Sequence, residues 1–398
     1  MIEKKSHFFH NSIIREYDIR GIYGVTLFNK DAEILGNLFG EIVGTDKKIN
    51  VAFDGRLSSI ELKNHLINGL LETGVEIFEI GLSPTPLLYF SCFENKANGG
   101  IIVTGSHNPK DHNGFKIVLN NRPFFGKDLI NLQEKAKNFN LKKKKGSIHS
   151  INISNKYISR LVKNKKQKKK INIVWDSGNG AAGNIMKFLS NKIEGSNVTL
   201  FSEIDGNFPN HHPDPSEPKN LIFCKKKLLE LKYDVGFAFD GDGDRLGVID
   251  DKGRVISGDN LLLLLAKELL KSKKIKVIAD IKCSQVLFDE VKRLGGNIIM
   301  SPTGHSHVKN YLKKFKADLA GEMSGHIFYS NGYFGFDDAF YAAVKVVEII
   351  SNNKKKLSEL VDEIPKVFNT PEIRIECDDN KKFDIISKIT SIQKKRDN

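Results

Sequence analysis

The stretch Gly100-Ile101-Ile102-Val103-Thr104-Gly105-Ser106-His107-Asn108-Pro109 gives the first indication of both fold and function. Its apolar first half predicts a buried strand, and the Gly and Asn-Pro signals after it predict a loop at the strand's carboxyl end. Ligands of α/β sheets gather at this end of the strands. The loop would present the Ser106 hydroxyl as a nucleophile beside His107. A serine in such a turn is usually structural, so this stretch alone decides nothing about function.

A second strand-like run, residues 234–239, enters the loop Asp240-Gly241-Asp242-Gly243-Asp244-Arg245. Three carboxylates at alternate positions can converge on one cation, and hard oxygen ligands suit Mg²⁺. The calcium-loop motif does not fit, because its sixth position is Gly and its twelfth is Glu, where this chain has Arg245 and Asp251. The loop predicts an open magnesium site of the kind that serves phosphoryl transfer. The alternative is an acidic surface turn.

A competing motif, Gly178-Asn179-Gly180-Ala181-Ala182-Gly183, follows the strand-like residues 171–175. Glu203 lies about 20 residues further on, as a dinucleotide-binding fingerprint requires. Asp176 and Ser177 separate the strand from the first glycine, and a bare fingerprint is a weak motif. We interpret the glycines as a tight strand-to-helix turn. A dinucleotide-dependent oxidoreductase is the remote alternative.

Four motifs in this order resemble the α-D-phosphohexomutases, and most closely the bacterial phosphomannomutase/phosphoglucomutase branch. The Ser106 loop and the Asp240 loop are two of them, and two shorter stretches between the motifs also match. The remaining stretches are Arg15-Glu16-Tyr17-Asp18-Ile19-Arg20-Gly21, Lys282-Cys283-Ser284, Pro302-Thr303-Gly304-His305 and Gly321-Glu322-Met323-Ser324-Gly325-His326.

The resemblance implies a hexose phosphate mutase that carries its phosphoryl group on Ser106. The phosphoserine would donate to a hexose monophosphate and recover a phosphoryl group from the other end of the bisphosphorylated sugar, which is both intermediate and activator. Met323 favours mannose and glucose over glucosamine, and a phosphoglucosamine mutase is the alternative. The implied catalytic residues are Ser106, His107, Lys116, Arg20 and Arg245; the implied Mg²⁺ ligands are Ser106, Asp240, Asp242 and Asp244; and the implied substrate-binding residues are Tyr17, Lys282, Thr303, Gly304, His305, Glu322, Ser324 and His326.

Alternating strand and helix patterns predict an α/β protein. The resemblance makes this three related mixed α/β domains around a central cleft, with an incomplete fourth α+β domain. The expected bounds are 1–150 for the phosphoserine domain, 151–254 for the Mg-binding domain, 255–366 for the sugar-binding domain and 367–398 for the start of the fourth. Asp259-Asn260 is predicted to cap a leucine-rich helix in the third domain.

The fourth domain is where the sequence departs from the family pattern. Family members usually add an Arg-Ser-Asn-Thr-type loop that grips the non-reacting phosphate, and residues 367–398 are expected to hold only the first strand and helix of that domain. A fragment of a longer product, a partner-supplied loop and a low-activity remnant are the three explanations.

Composition indicates a soluble cytoplasmic enzyme: the 398 residues are 40% hydrophobic and 28% charged, and the four cysteines form no CxxC pair. We expect free thiols, and no membrane association because residues 261–270 are too short and charged to span a bilayer. The net charge of +14 arises from lysine runs with little aromatic interleaving, which predicts solvated surfaces rather than nucleic-acid binding. Polyanion binding is a minor alternative. A positively charged cleft would also attract sugar phosphates. The sequence leaves the oligomeric state open.

Overall fold

The computed structural model describes residues 2–367, 375, 377 and 381–396. They fall into two compact units, Met1–Ile364 and Pro365–Asn398. The first unit contains three mixed sheets with flanking helices, one for each of three successive parts of the chain, and a separate two-stranded pair. We refer to these three parts as domains I, II and III.

Domain I is built on a sheet in which β4, β3 and β5 are parallel neighbours and β6 runs antiparallel beside β5. β2 lies outside β6, β9 lies beside β4, β7 pairs with β6, and β1 pairs with β8 away from the sheet. The elements are β1 (Ile2–Lys5), β2 (Ile19–Ile22), α1 (Asn29–Val43), β3 (Lys48–Phe53), α2 (Ser59–Leu71), β4 (Glu76–Leu82), α3 (Thr85–Glu94), β5 (Gly99–Val103), β6 (His112–Leu119), β7 (Arg122–Pro123), α4 (Lys127–Ala136), β8 (Phe139–Lys142) and β9 (Ser147–Ser150).

Domain II repeats this arrangement in the order β11, β10, β12, β13, with the first three strands parallel and the fourth antiparallel. A short strand, β14, extends the sheet. The elements are α5 (Ser154–Val162), β10 (Ile173–Asp176), α6 (Gly183–Ser190), β11 (Asn197–Leu200), a 3₁₀ turn (Pro218–Leu221), α7 (Ile222–Leu231), β12 (Val235–Phe239), β13 (Leu246–Asp250) and β14 (Val255–Ile256).

Domain III has the order β16, β15, β17, β18, again three parallel strands and one antiparallel strand. The elements are α8 (Gly258–Leu270), β15 (Lys276–Asp280), α9 (Gln285–Arg293), β16 (Asn297–Ser301), α10 (His305–Lys314), β17 (Leu319–Gly321), β18 (Ile327–Tyr329), α11 (Ala339–Asn352) and α12 (Leu357–Asp362). The second unit contains one further helix, α13 (Lys382–Arg396).

The shared strand order places the three predicted functional loops at the same point of each domain. The Ser106 loop joins β5 to β6, the Asp240 loop joins β12 to β13, and the Glu322 loop joins β17 to β18. Each loop therefore turns the chain from the last parallel strand into the antiparallel strand. The expectation of three related mixed α/β domains is confirmed, whereas the predicted domain bounds stay a prediction.

A continuous apolar core joins the three domains. It contains Phe90 of domain I, Trp175 and Phe239 of domain II, and Phe340 of domain III, all buried. The rings of Phe239 and Phe340 stack with centroids 4.7 Å apart. A second core cluster lies within domain I alone. The domains are thus held against each other by burial of aromatic surface, which fixes the relative positions of their loops.

The predicted cap of α8 was wrong. The helix begins at Gly258, and the residue before it is Ser257 with extended backbone angles (φ −64°, ψ 154°). Asp259 lies in the first turn, and its Oδ2 accepts a hydrogen bond from the Ser284 backbone N–H at 3.0 Å. The carboxylate therefore joins α8 to the start of α9, a contact that local sequence does not show.

The remaining expectations have mixed outcomes. Cys92, Cys224 and Cys283 are free thiols, as predicted, and all three are buried, whereas Cys377 is exposed. Among the described residues, none of the helices has both the length and the apolar character needed to cross a bilayer. The predicted helix of the fourth-domain segment corresponds to α13, whereas the strand expected before it lies largely outside the described residues.

Candidate active site

The Ser106 loop places a strained, buried serine against domain II. Ser106 has a left-handed backbone (φ 51°) and is 2% exposed. Its Oγ lies 3.1 Å from His107 Nδ1 and donates to Asp240 Oδ2 at 3.1 Å. A non-glycine residue in this conformation persists only where its surroundings hold it. The predicted nucleophile and the predicted metal loop are therefore in direct contact.

The surroundings that hold Ser106 are two residues that sequence reasoning missed, Asp54 and Arg56, in the loop after β3. The buried Arg56 guanidinium donates to the backbone carbonyls of Ser106 (2.8 Å), Asn108 (2.7 Å), His112 (3.0 Å) and Pro109. Asp54 Oδ2 accepts from Thr104 Oγ1 at 2.8 Å. Both residues follow a buried strand directly, which is the signal that identified the other loops.

Gly105 permits this arrangement, because a Cβ there would lie 2.5 Å from Arg56 Cζ. The guanidinium thus packs directly beneath the loop backbone. Any larger residue at this position would have to displace a fully buried arginine.

The Asp240 loop brings three carboxylates together, as the spacing predicts. One oxygen each of Asp240, Asp242 and Asp244 lies within 4.8 Å of the others, and all three residues are buried. Asp240 Oδ1 accepts from the backbone N–H groups of Asp244 (3.0 Å) and Arg245 (3.1 Å). Within the described part of the chain, Asp242 Oδ1 and Asp244 Oδ1 are buried without a hydrogen-bond partner.

These unpartnered oxygens fit a bound divalent cation. Buried carboxylate oxygens without donors are costly, and a cation of the Mg²⁺ type takes oxygen ligands of this kind. Burial, reinforced by the neighbouring charges of Asp242 and Asp244, raises the pKa of Asp240 well above its ordinary value. A cation bound between the three carboxylates would reverse this effect and keep all three ionised.

Lys116 lies against the acidic loop from the domain I side. Its buried Nζ lies 2.6 Å from Asp242 Oδ2 and also donates to Asp244 Oδ2. Burial lowers the pKa of Lys116, but Asp242 and Asp244 outweigh burial and hold it above the ordinary value. The group is a protonated donor. Thr85 Oγ1, which the sequence did not single out, donates to the same Asp242 oxygen at 2.5 Å.

The Glu322 loop faces a neighbouring loop of its own domain. Glu322 Oε1 accepts from the Gly304 backbone N–H at 2.6 Å, and its Oε2 is buried without a hydrogen-bond partner among the described residues. Burial raises the pKa of Glu322 above the ordinary value despite the nearby His326. Gly304 adopts φ 121°, and a Cβ there would lie 2.5 Å from the Tyr17 ring. Gly304 therefore lets domain I approach domain III closely.

A contact between main chains joins the second and third loops. Leu246 N–H donates to Gly325 O at 3.1 Å, and Arg245 Nε donates to His326 Nε2 at 3.0 Å. Because Nε2 accepts this hydrogen bond, the ring carries a proton on Nδ1. His326 Nδ1 faces Asp337 Oδ2 at 3.3 Å and Asp244 Oδ1 at 3.5 Å.

Asp337 and Lys309 complete the back wall of the site, and neither was found from the sequence. Lys309 Nζ donates to Asp337 Oδ1 at 2.8 Å, and both side chains are buried. Burial opposes the ionisation of Asp337, but Lys309 and His326 outweigh it and lower its pKa. Asp337 directly precedes the aspartate that caps α11, so its sequence context indicated a helix start rather than a site residue.

The other predicted residues lie around these three loops. Burial, followed by the charge of nearby cations, lowers the pKa of both His107 and His305, so both imidazoles are neutral. Arg20 Nη1 donates to Asn108 Oδ1 at 2.8 Å. Thr303 Oγ1 donates to Asp280 Oδ2 at 3.0 Å. Ser324 is partly exposed, and Lys282 is exposed on the loop after β15.

The glycine-rich fingerprint forms a packing turn. A Cβ on Gly180 would lie 2.9 Å from both Cα and O of Gly241, and Ala181 N–H donates to Gly241 O at 2.8 Å. A Cβ on Gly183 would lie 2.1 Å from Ser202 O. The glycines thus pack against the Asp240 loop, as expected for a structural turn rather than a dinucleotide-binding loop.

The chain matches three domain models of one family, phosphoglucomutase/phosphomannomutase. The alpha/beta/alpha domain I model matches residues 11–138, the domain II model matches 155–253 and the domain III model matches 257–368. The chain belongs to the phosphoglucomutase/phosphomannomutase family. The resemblance predicted from four motifs is confirmed over most of the chain.

Individual members of the family show how close the similarity is. The phosphomannomutase/phosphoglucomutase of Pseudomonas syringae pv. tomato is 41% identical over 94% of this chain and 82% of its own length. The phosphoglucomutase of Neisseria gonorrhoeae is 40% identical over 91% of this chain and 80% of its own. A crystal structure of a family protein from Burkholderia thailandensis matches with a TM-score of 0.85 and 39% identity, over 90% of this chain and 81% of that one.

Proposed function

We propose that this chain interconverts the 1-phosphate and 6-phosphate of mannose, of glucose or of both, through a phosphoserine at Ser106 and a bisphosphorylated hexose. One observation carries the proposal: Ser106 Oγ lies 3.1 Å from Asp240 Oδ2, so that an unusually constrained serine contacts a cluster of three carboxylates. Membership of the family supports the reaction class. The names of the Pseudomonas and Neisseria relatives support mannose and glucose as the sugars.

In the proposed reaction, a free hydroxyl of the hexose monophosphate attacks the phosphorus of phosphoserine. The new bond joins the sugar oxygen to phosphorus, the bond between phosphorus and Ser106 Oγ breaks, and the proton that the sugar hydroxyl loses is balanced by the proton that Ser106 Oγ gains. Mg²⁺ bound by Asp240, Asp242, Asp244 and the Ser106 oxygen would neutralise charge on the transferring group. In the second half of the reaction, Ser106 Oγ attacks the phosphorus at the other end of the bisphosphorylated sugar. The bond between that phosphorus and the sugar oxygen breaks, and the phosphoserine is restored.

Proton transfer is assigned to side chains whose protonation states are set by their surroundings. The Lys116 ammonium is held protonated by Asp242 and Asp244. A raised pKa makes it a weak acid, so proton donation by Lys116 requires a bound cation that neutralises these carboxylates and lowers its pKa. His107 is neutral, and its Nδ1 lies 3.1 Å from Ser106 Oγ, so the ring is within reach of the serine oxygen as that oxygen gains or loses a proton. Arg245 extends from the acidic loop to His326 and would steady the phosphoserine.

Most of the residues proposed to bind the sugar lie in domain III. Glu322 offers an unpartnered Oε2, and His305 offers two ring nitrogens without partners among the described residues. These groups can accept and donate hydrogen bonds to sugar hydroxyls. Tyr17, Thr303, Gly304, Ser324, His326 and Lys282 complete the proposed substrate-binding set.

The test is Ser106→Ala, because covalent transfer needs the serine oxygen. The wild-type protein incubated with glucose 1,6-bisphosphate should gain the mass of one phosphoryl group, and Ser106→Ala should gain none and lose mutase turnover. Ser216→Ala, at an exposed serine outside the site, is the control and should behave as wild type. Wild-type turnover by Ser106→Ala with the bisphosphate present would disprove the phosphoserine mechanism.

A further inference from the structure

A cavity separate from the active site lies between domains I and III. It is bordered by α3 and the β6–β7 hairpin on one side, and by α10 and the loop after β18 on the other. Its volume is about 580 Å³, within the range of about 300–1,000 Å³ that is typical of small-molecule sites. Among the described residues that line it, none belongs to the catalytic, metal-binding or substrate-binding set assigned above.

The floor of the cavity is aromatic. The ring centroids of Phe93 and Phe334 are 4.9 Å apart, those of Phe334 and Phe336 are 5.8 Å apart, and those of Tyr89 and Phe336 are 5.6 Å apart. Four aromatic rings in contact offer a surface on which a planar apolar group can stack. Such a surface is the usual anchor of a small-molecule site.

The charged part of the lining is predominantly basic. Arg122, Lys309, Lys313 and Lys316 all line the cavity. The carboxylate there, Asp318, is already used by Lys273 Nζ at 2.6 Å and the Lys276 backbone N–H at 2.9 Å. Arg122 Nη1 lies 3.4 Å from Asp128 Oδ2 and Lys309 pairs with Asp337, so Lys313 and Lys316 are the lining cations that form no ion pair within the described residues. The cavity therefore joins an apolar floor to two available cations, which selects an anion with an apolar body.

Lys309 lines the cavity and also contacts buried residues of both domains. This lysine is 8% exposed, and its Nζ lies 4.4 Å from the Tyr89 ring centroid and 3.2 Å from the Tyr89 hydroxyl. Its remaining contact is with Asp337, at the back of the active site. The cavity wall is therefore a built structure made from two domains, rather than a gap between mobile surface side chains.

We propose that this cavity is a binding site for a small organic anion with an aromatic or similarly flat apolar body, distinct from the sugar phosphate site. The apolar body stacks on the ring floor, and the anionic group pairs with Lys313 of α10 and with Lys316 just after that helix. Neutral molecules of the same shape should bind more weakly because they cannot pair with the lysines. Inorganic phosphate should also bind more weakly because it has no apolar group to stack on the rings.

The probe that tests the proposal is 8-anilinonaphthalene-1-sulfonate, a flat aromatic anion, titrated into the full chain and followed by fluorescence. We expect saturable binding of one dye per chain that saturating glucose 6-phosphate does not displace. The neutral analogue N-phenyl-1-naphthylamine should bind at least about tenfold more weakly, the ratio expected for loss of one favourable charge contact. Displacement of the dye by glucose 6-phosphate, or equal affinity of the neutral analogue, would overturn the proposal.

Two neighbouring lysines on α10 provide a matched pair of variants. Lys313 lines the cavity, whereas Lys314 does not; both are exposed in the last turn of α10, so reversal of either charge disturbs the helix end alike. Lys313→Glu should weaken dye binding about tenfold or more, and Lys314→Glu should leave it unchanged. Equal effects of the two variants would show that the dye binds elsewhere.

A third variant blocks the space itself. Asn310 lines the cavity from an exposed position on α10, so Asn310→Trp should remove dye binding while the protein keeps its melting temperature and its mutase activity without dye. Dye binding at wild-type affinity by this variant would overturn the proposal. Because dye binding is measured apart from turnover, the result does not depend on the proposed mutase activity.

Discussion

At the scale of single residues, the site depends on a serine that is held in an unfavourable backbone conformation. The left-handed φ of 51° at Ser106 costs ~1–2 kcal/mol for a residue with a Cβ. Arg56 offsets this cost by donating to four carbonyl oxygens of the same loop, where a planar guanidinium can serve several acceptors at once. We therefore infer that Arg56 positions the proposed nucleophile.

Arg56→Lys keeps the charge but loses the planar fork, so the loop should be held less tightly. We expect kcat to fall about tenfold or more with little change in KM, because a small displacement of the nucleophile affects transfer more than binding. Steady-state kinetics, with circular dichroism to verify the fold, measures this. The control is Arg293→Lys, an exposed arginine on α9, which should be neutral. A change confined to KM would contradict the positioning role.

A second prediction at this scale concerns Asp242, whose Oδ1 is buried without a partner in the described structure. Asp242→Asn removes one ligand charge at nearly constant size, so Mg²⁺ affinity and phosphoryl transfer should fall by about 100-fold or more. The same change relieves repulsion among three buried carboxylates but weakens the pairing of Asp242 with the buried Lys116 ammonium, so the stability of the metal-free variant is to be measured beside that of the metal-free wild type.

Thermal unfolding with and without Mg²⁺ separates the effect of Asp242→Asn on Mg²⁺ affinity from its effect on the stability of the metal-free protein. Saturating Mg²⁺ should raise the melting temperature of the wild type, because a ligand that binds the folded state stabilises it, and should raise that of the variant much less. An equal rise in both proteins would contradict the metal assignment.

At the scale of elements, the same loop position carries a different task in each domain. The turn from the third parallel strand into the antiparallel strand supplies the proposed nucleophile in domain I, the three carboxylates in domain II and Glu322 in domain III. The helices that support these loops need well-formed ends. The start of α11 is one such end: Asp338 Oδ1 accepts the Tyr341 backbone N–H at 2.9 Å.

The α11 cap should make stability depend on pH in an unusual direction. Burial raises the pKa of Asp338 to about 6 from an ordinary 3.8, although the Tyr333 and Tyr157 hydroxyls donate to its Oδ2. A raised carboxyl pKa means that the folded state binds the proton more tightly. The free energy of unfolding therefore falls as pH rises from about 4 through about 6, by about 1.4 kcal/mol for each unit of pKa difference.

Asp338→Asn removes this titration while keeping an oxygen that can accept from Tyr341. The stability of wild type relative to Asp338→Asn should therefore decrease between about pH 4 and pH 6 and be constant above about pH 7. Urea unfolding of both proteins at several pH values measures the difference. A difference that grows with rising pH would show that the carboxylate is stabilised, not destabilised, by its surroundings.

At the scale of the whole molecule, the aromatic core that crosses domains I to III should make them unfold together. Tyr157 contacts Phe90 at 5.3 Å and Phe340 at 6.2 Å between ring centroids, so one ring of domain II touches both other domains. We expect one calorimetric transition for the three sheets, with calorimetric and van't Hoff enthalpies nearly equal. Two or three resolved transitions would show that the domains are energetically independent.

Much of this architecture could be predicted from local patterns. Buried runs followed by Gly, Asn or Asp mark strand ends, so the Ser106 loop, the Asp240 loop and the fold class were all predicted before the structure was known. Local pattern misjudged the cap of α8, where Ser257 rather than Asp259 precedes the helix, because Asp259 is engaged by Ser284 from another segment.

The sequence by itself determined the α/β class and the family, and it predicted the loops that meet at the candidate site, because strand periodicity, turn residues and motif spacing are local properties of the chain. Only the tertiary structure decided which groups support them. Arg56, Thr85, Lys309 and Asp337 act through contacts with residues distant in sequence, such as the Thr85 hydroxyl bond to Asp242, 157 positions away. The pKa values of buried groups and the cavity between domains I and III likewise arise from packing, which brings together segments whose sequences carry no sign of each other.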